Sequence, residues 1–277
     1  MAHRWVDVGG LRLHCVEAGT GPLVVLLHGF PEFWYAWRHQ LPALADAGYR
    51  VVAPDLPGYH TSDKPPRVRD YQPRLLAQDV ADLIMALGAG SAAVAGHDWG
   101  GGLAWLLAMH HPERVQRLVV LNAPHPIRFL KGLGSPRQLQ RSWYILAFQL
   151  PWLPERLVAA WDFEALRRAL RHQPTRPGAF TAQDIDRYVV AAAQPGALRA
   201  AINYYRAALR ANPLAQAHGL RRGDQDRYLG RELAEPDRAW VPDVRVERIT
   251  EASHWVQADA PERVNQLMVD FLQPIRG

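Results

Sequence analysis

Gly96-His97-Asp98-Trp99-Gly100 has the spacing of a nucleophile elbow, G-x-S-x-G, with aspartate where serine usually stands. The flanking residues, AVA before and GGLAW after, read as a strand running through a tight turn into a helix. A serine in such a turn attacks acyl carbon and leaves an ester. At a saturated carbon it would leave an ether, which water does not readily cleave. A carboxylate attacking saturated carbon leaves an ester instead, and that ester has a carbonyl for water to attack. Asp98 therefore points to displacement at sp3 carbon followed by hydrolysis. With an ordinary pKa of about 3.9 it is ionised near neutrality and needs no base for the first step. The plainer local reading is an aspartate that N-caps the following helix.

The second step needs a base. His254, in ASHWVQADAPE, follows the last expected strand, where the order nucleophile, acid, histidine would put it. Asp226 in GDQDRYLG is the acid chosen to orient it, with Asp224 as a neighbour able to substitute; LVVLN offers only Asn122 at the end of the earlier strand. The backbone N–H groups of Trp99 and of Phe30 in HGFPE are placed as oxyanion donors. An oxygen leaving group departs as an alkoxide and needs a polar tip inside an apolar pocket. Tyr144 and Tyr205 can supply it, with amphipathic packing as their plainer role. Phe30, Pro31, Trp99 and Phe148 are read as pocket wall, His28 and His97 as structural, and His60 as an exposed loop residue.

These residues need a scaffold that aims strand ends at one place. The first part of the chain alternates short apolar runs with amphipathic stretches, the pattern of a mostly parallel sheet with helices on both faces. RWVDV and LRLHCVEA form an opening hairpin around Gly9-Gly10; LVVLL, YRVVAPD, SAAVAGH and VQRLVVLNAP follow as strands, and YQPRLLAQDVADLIMALG as a helix stopped by Gly88. Residues 130–212 lack a strong strand and are read as a helical cap, with helices in LQRSWYILAFQLPWLPE and LRAAINYYRAALRAN. The core is then residues 1–129 and 213–277, an eight-stranded sheet completed by a helix near 229–240, a strand at VRVERI and a final helix, PERVNQLMVDFL. PLAQAHGLRRG, residues 213–223, stands where a buried strand is needed but holds no β-branched or aromatic residue.

Composition narrows the partners. Of 277 residues, 48% are hydrophobic and 21% charged, ordinary for a soluble globular chain. The net charge of +5 rests on scattered arginines, with lysine only at 64 and 131 and no basic stripe interleaved with aromatics, so nucleic acid is not expected. One cysteine, Cys15, excludes an internal disulfide and suggests a reducing, cytoplasmic compartment. No secretory leader or membrane span is read, and no cofactor or metal site is expected. The expected partners are a small apolar substrate and water, for a monomer or homodimer.

HGFPEFWYAWR, PDLPGYHTSDKP, GHDWGG, SWYILAFQ, NYYRAALR and SHWVQADAPERVN together resemble the soluble epoxide hydrolases of the α/β-hydrolase superfamily, over nearly the whole chain. The resemblance implies an α/β-hydrolase fold with an inserted cap, and conversion of an epoxide to a vicinal diol through an alkyl ester on Asp98. It implies His254 as base, Asp226 as its acid, Tyr144 and Tyr205 as lid tyrosines, and HGFP as oxyanion motif. Two departures stand out. LAQAHGLRRG replaces an apolar strand ending in Trp-Gly, and His60 stands where relatives commonly carry Gly or Asn. A haloalkane or haloacid dehalogenase would use the same aspartate but expects an Asn or second Trp near the HG motif, where this chain has Phe30. A non-catalytic ligand-binding scaffold is the remaining alternative.

Overall fold

A computed structural model describes residues 1–126, 129, 135–211 and 245–273. The chain opens with the expected hairpin, β1 (Ala2–Val8) and β2 (Leu11–Ala18). β3 (Leu23–Leu27), α1 (Gln40–Asp46), β4 (Arg50–Pro54), α2 (Pro73–Ala86), β5 (Ala92–His97), α3 (Trp99–His110) and β6 (Val115–Leu121) follow in order. The sheet order is β1-β2-β4-β3-β5-β6. β1, β2 and β4 pair antiparallel, whereas β4, β3, β5 and β6 run parallel. Every residue of β3 and β5 is buried, as a parallel strand covered on both faces must be.

Two apolar layers sandwich the sheet. On one face α2 and α3 pack Leu76, Val80, Ile84, Leu103 and Leu107 against Val25, Leu27 and Val94. On the other, α1 and the C-terminal helix bring Leu41, Leu44, Val264, Met268 and Leu272 onto Val24, Leu26, Val51 and Ala95. Cys15 lies in the first of these cores, where burial pushes its thiol up to about 12, so it is not a nucleophile near neutrality.

After β6 the described chain is helical up to residue 211. α4 (Pro136–Arg141), α5 (Trp143–Ala147), α6 (Leu153–His172), α7 (Ala182–Ala192) and α8 (Ala197–Arg210) are followed later by α9 (Val256–Asp259) and α10 (Pro261–Leu272). LQRSWYILAFQLPWLPE, expected as one helix, is three pieces. Pro151 lacks the N–H to continue α5, and Trp152 turns left-handed at φ 51° before α6 begins. α6 is itself kinked where Trp161, Asp162 and Phe163 take positive φ.

Among the described residues the sheet has six strands rather than eight. Arg245–Ile249, expected within the last strand, forms none. Arg245 Nε donates to Glu247 Oε1 and Arg263 to Glu247 Oε2 there, and the strand expected before it lies outside the described residues. The expected strand at 213–223 and helix at 229–240 lie outside the described residues. No described helix is long and apolar enough to cross a membrane.

Candidate active site

Three parallel strands end at the site, as open α/β sheets favour. β5 ends in His97 and delivers Asp98 at φ 49°, ψ −120°, a conformation that costs strain in any L-residue. Glycines permit it sterically. A Cβ on Gly100 would stand 2.1 Å from the Leu27 carbonyl oxygen, and one on Gly96 2.2 Å from that of Gly100. The elbow is therefore wedged against β3, and side chains at either position would force it out.

β3 ends at His28-Gly29-Phe30. A Cβ on Gly29 would lie 2.4 Å from that of Asp98, so only glycine lets this turn approach the carboxylate. Across that contact the Phe30 N–H donates to Asp98 Oδ1 at 2.8 Å. Of the two expected oxyanion donors, the Phe30 N–H thus reaches Asp98, and Trp99 follows Asp98 directly in the chain. His254 Nε2 lies 3.8 Å from the other oxygen, Oδ2. Burial pushes the Asp98 carboxyl above its ordinary range, and the nearby His254 and His97 and the two N–H groups only partly offset it.

His254 is held through its backbone. Its carbonyl accepts from Asn122 Nδ2, at the end of β6, and from His97 Nε2, both at 2.8 Å. His97 Nδ1 faces Glu32 Oε2 at 2.7 Å, and Gln257 Nε2 donates to Glu32 Oε1 at 3.0 Å. Burial alone would raise the Glu32 carboxyl, but its contacts with His97, together with His28 and the Gly29 N–H, leave it lowered. Asp259 completes the clamp by accepting from the Ser253 N–H and hydroxyl. Sequence reasoning read Asn122 only as a missing acid and passed over Glu32, Gln257 and Asp259. The available signal was a glutamate two residues beyond Phe30, in a stretch with no other charge nearby.

Helices α5 and α8 close the site from above. Tyr144 and Tyr205 have ring centroids 5.8 Å apart, and Phe148 and Phe30 complete an edge-to-face aromatic cluster with Tyr205. Arg206 locks the two segments together: it donates to the Phe148 and Leu150 carbonyls and pairs with Glu155 at 2.6 Å. A cavity of about 570 Å³ lies between, lined by Asp98, His254, Tyr144, Tyr205, Phe30, Pro31 and Phe148. The Trp99 indole, expected in the wall, is not in that lining. It packs edge-on against Tyr204 and Tyr205 because the helix turn after Asp98 directs it under α8. Asp226 and Asp224 lie outside the described residues.

A carboxylate at a strand-to-helix elbow, with a histidine and a backbone N–H beside it, places the molecule among the α/β hydrolases. The chain belongs to the α/β-hydrolase fold family, whose pattern it matches over residues 22–261. It is 42% identical to the α/β-hydrolase superfamily protein YfhM of Bacillus subtilis, over 98% of this chain and 97% of that one. It is 40% identical to human epoxide hydrolase 4, over 95% of this chain and 76% of that one. An epoxide hydrolase of Bacillus megaterium, solved with an inhibitor, superposes with a TM-score of 0.88 at 30% identity, over 98% of this chain and all of that one.

The same geometry carries a stability cost that can be measured. Because the Asp98 carboxyl is raised in the folded state, the fold binds its proton more tightly than the unfolded chain does. Stability from this group is thus lost as pH rises through the window between the unfolded and folded values. Asp98→Asn, which keeps the shape and tolerates positive φ, should melt higher than wild type at pH 7. The gap should close once the pH falls below the unfolded carboxyl value of about 3.9. Calorimetry at the two pH values checks this; an Asn variant that melts lower at pH 7 would count against the cost. Turnover of the same variant should fall on the order of 10³-fold or more.

Proposed function

We propose that this chain is an epoxide hydrolase that works through an ester on Asp98. The observation that carries the reading is the division of labour between the two carboxylate oxygens: Oδ1 takes the Phe30 N–H, while Oδ2 lies toward His254 and the cavity. Oδ2 attacks one saturated carbon of the epoxide, the ring C–O bond breaks, and the departing alkoxide takes a proton from Tyr144 or Tyr205. Burial raises the Tyr205 phenol well above its ordinary value, so the donor stays protonated until an alkoxide appears beside it. His254 then removes a proton from water, and the hydroxide adds to the ester carbonyl. Oδ1 gathers the negative charge between the Phe30 and Trp99 N–H groups. Collapse breaks the ester, His254 returns its proton to the departing diol oxygen, and the carboxylic acid left at Asp98 gives its proton back to the tyrosinate, which releases the vicinal diol and restores the site. We assign Asp226 as the acid that orients His254, α4 to α8 as the cap, and a small apolar epoxide as substrate, in a cytoplasmic setting.

The mechanism fixes the fate of oxygen. In one turnover in heavy-oxygen water, with enzyme in excess, the label should enter the Asp98 carboxylate, because hydroxide adds to its carbonyl carbon. The diol should leave with an unlabelled oxygen from Oδ2. Peptide and product mass spectra read both, and label found only in the diol would overturn the covalent route.

A further inference from the structure

β2 and the loop after β4 gather a second cluster of chemistry-bearing side chains. The β2–β4 register sets Cys15 opposite Pro54, so His14 and Asp55 lie side by side, and the Asp55 N–H donates to the His14 carbonyl. Asp55 is fully buried. Its Oδ1 accepts the Trp34 N–H at 2.8 Å, which leaves Oδ2 aimed at His14 Nδ1 at 2.6 Å and His60 Nδ1 at 2.7 Å. His60 holds that place at φ 44°, a backbone region non-glycine residues enter rarely. Two imidazole nitrogens and a carboxylate oxygen from three separate points of the chain converge on one spot.

The geometry points to a binding site for a divalent transition-metal ion, zinc fitting best, at His14 Nδ1, Asp55 Oδ2 and His60 Nδ1. Two imidazoles and a carboxylate are a zinc-type donor set, too nitrogen-rich for calcium or magnesium. The same atoms can be bridged by protons, with both Nδ1–H groups donating to Oδ2, or by a dication that takes the nitrogen lone pairs. The three donor atoms lie within 4.8 Å of one another, so taking up an ion means opening the 2.6 and 2.7 Å contacts and turning the two imidazoles toward a common point about 2 Å from each nitrogen. The outer contacts suit it as well. With Nδ1 on the ion, His14 carries its proton on Nε2, and His3 Nδ1 stands 2.9 Å away to accept it. His60 is part-exposed, which leaves the site open to solvent on that side. An ion here would tie β2 to the loop bearing His60 and, through Asp55 and Trp34, to the segment that follows the oxyanion turn. It has no part in the proposed hydrolysis.

Chelator-treated, full-length protein titrated with zinc chloride by calorimetry tests the site, with cobalt absorption spectra to report imidazole ligation. One equivalent of zinc should bind and raise the unfolding midpoint. His60→Asn keeps a residue tolerant of positive φ but loses the nitrogen; it should bind roughly tenfold more weakly or worse and lose the thermal shift. Turnover of that variant should match wild type, which separates this site from the catalytic one. Wild-type binding weaker than about 1 mM, or equal binding by His60→Asn and wild type, would overturn the proposal.

Discussion

His254→Gln should stop the enzyme halfway. Incubated with a reactive epoxide, the variant is expected to gain the mass of one substrate molecule on the peptide carrying Asp98, and to hold it. The first step does not use the histidine as a base: the attacking group is the Asp98 carboxylate itself, which the Phe30 N–H orients through Oδ1. The second step does, because water is a poor nucleophile until a base takes its proton, a contribution of typically 10²–10⁴-fold. Glutamine fills most of the imidazole volume, and the Asn122 and His97 contacts fall on the backbone carbonyl of residue 254, so the loop should survive the change. Intact-mass spectra over a time course give the result directly. A folded variant that shows no adduct would remove either Asp98 as the nucleophile or His254 as the base, and the heavy-oxygen experiment distinguishes the two.

What was legible in the sequence was what is local. Asp98, its glycines and the Phe30 turn are short motifs whose spacing encodes a steric fit, and the structure closes that fit to 2.8 Å. The strands were legible for the same reason, since LVVLL and AAVAGH are buried on both faces and read as continuous apolar runs. The clamp behind His254 was not. Glu32 and His97 are 65 residues apart and Asn122 and His254 are 132 apart, and no pattern in one segment announces a partner in the other. His60 was opaque for the same reason. Its partnership with His14 exists only because β2 pairs with β4, a contact between segments that lie 41 residues apart in the chain at His14 and Asp55. At Arg245–Ile249 alternating charge and apolar residues promised a strand. Alternation describes a surface rather than a ladder: a strand also needs a neighbour to pair with, and the one expected here lies outside the described residues.

Tyr144→Phe combined with Tyr205→Phe should cut epoxide turnover by roughly 10³-fold while leaving the fold intact. Each phenol sits in an aromatic cluster in which phenylalanine keeps the packing: Tyr144 against Phe148, and Tyr205 against Phe30, Phe148 and Trp99. What disappears is the pair of O–H groups. Single variants should lose less, because the remaining tyrosine still meets the alkoxide; one hydrogen bond to a charged group is worth about 1.5–3 kcal/mol, roughly ten- to 150-fold in rate. The pair should therefore be non-additive, with the second removal costing more than the first. The same double variant divides epoxide from halide chemistry. A halide leaves as a stable anion and needs no proton, so a dehalogenase would keep most of its rate on a haloalkane after losing both phenols. Wild-type turnover of epoxides but not haloalkanes, lost in the double variant, would assign the tyrosines to alkoxide protonation. Near-normal epoxide turnover in that variant would require a different acid in the cavity.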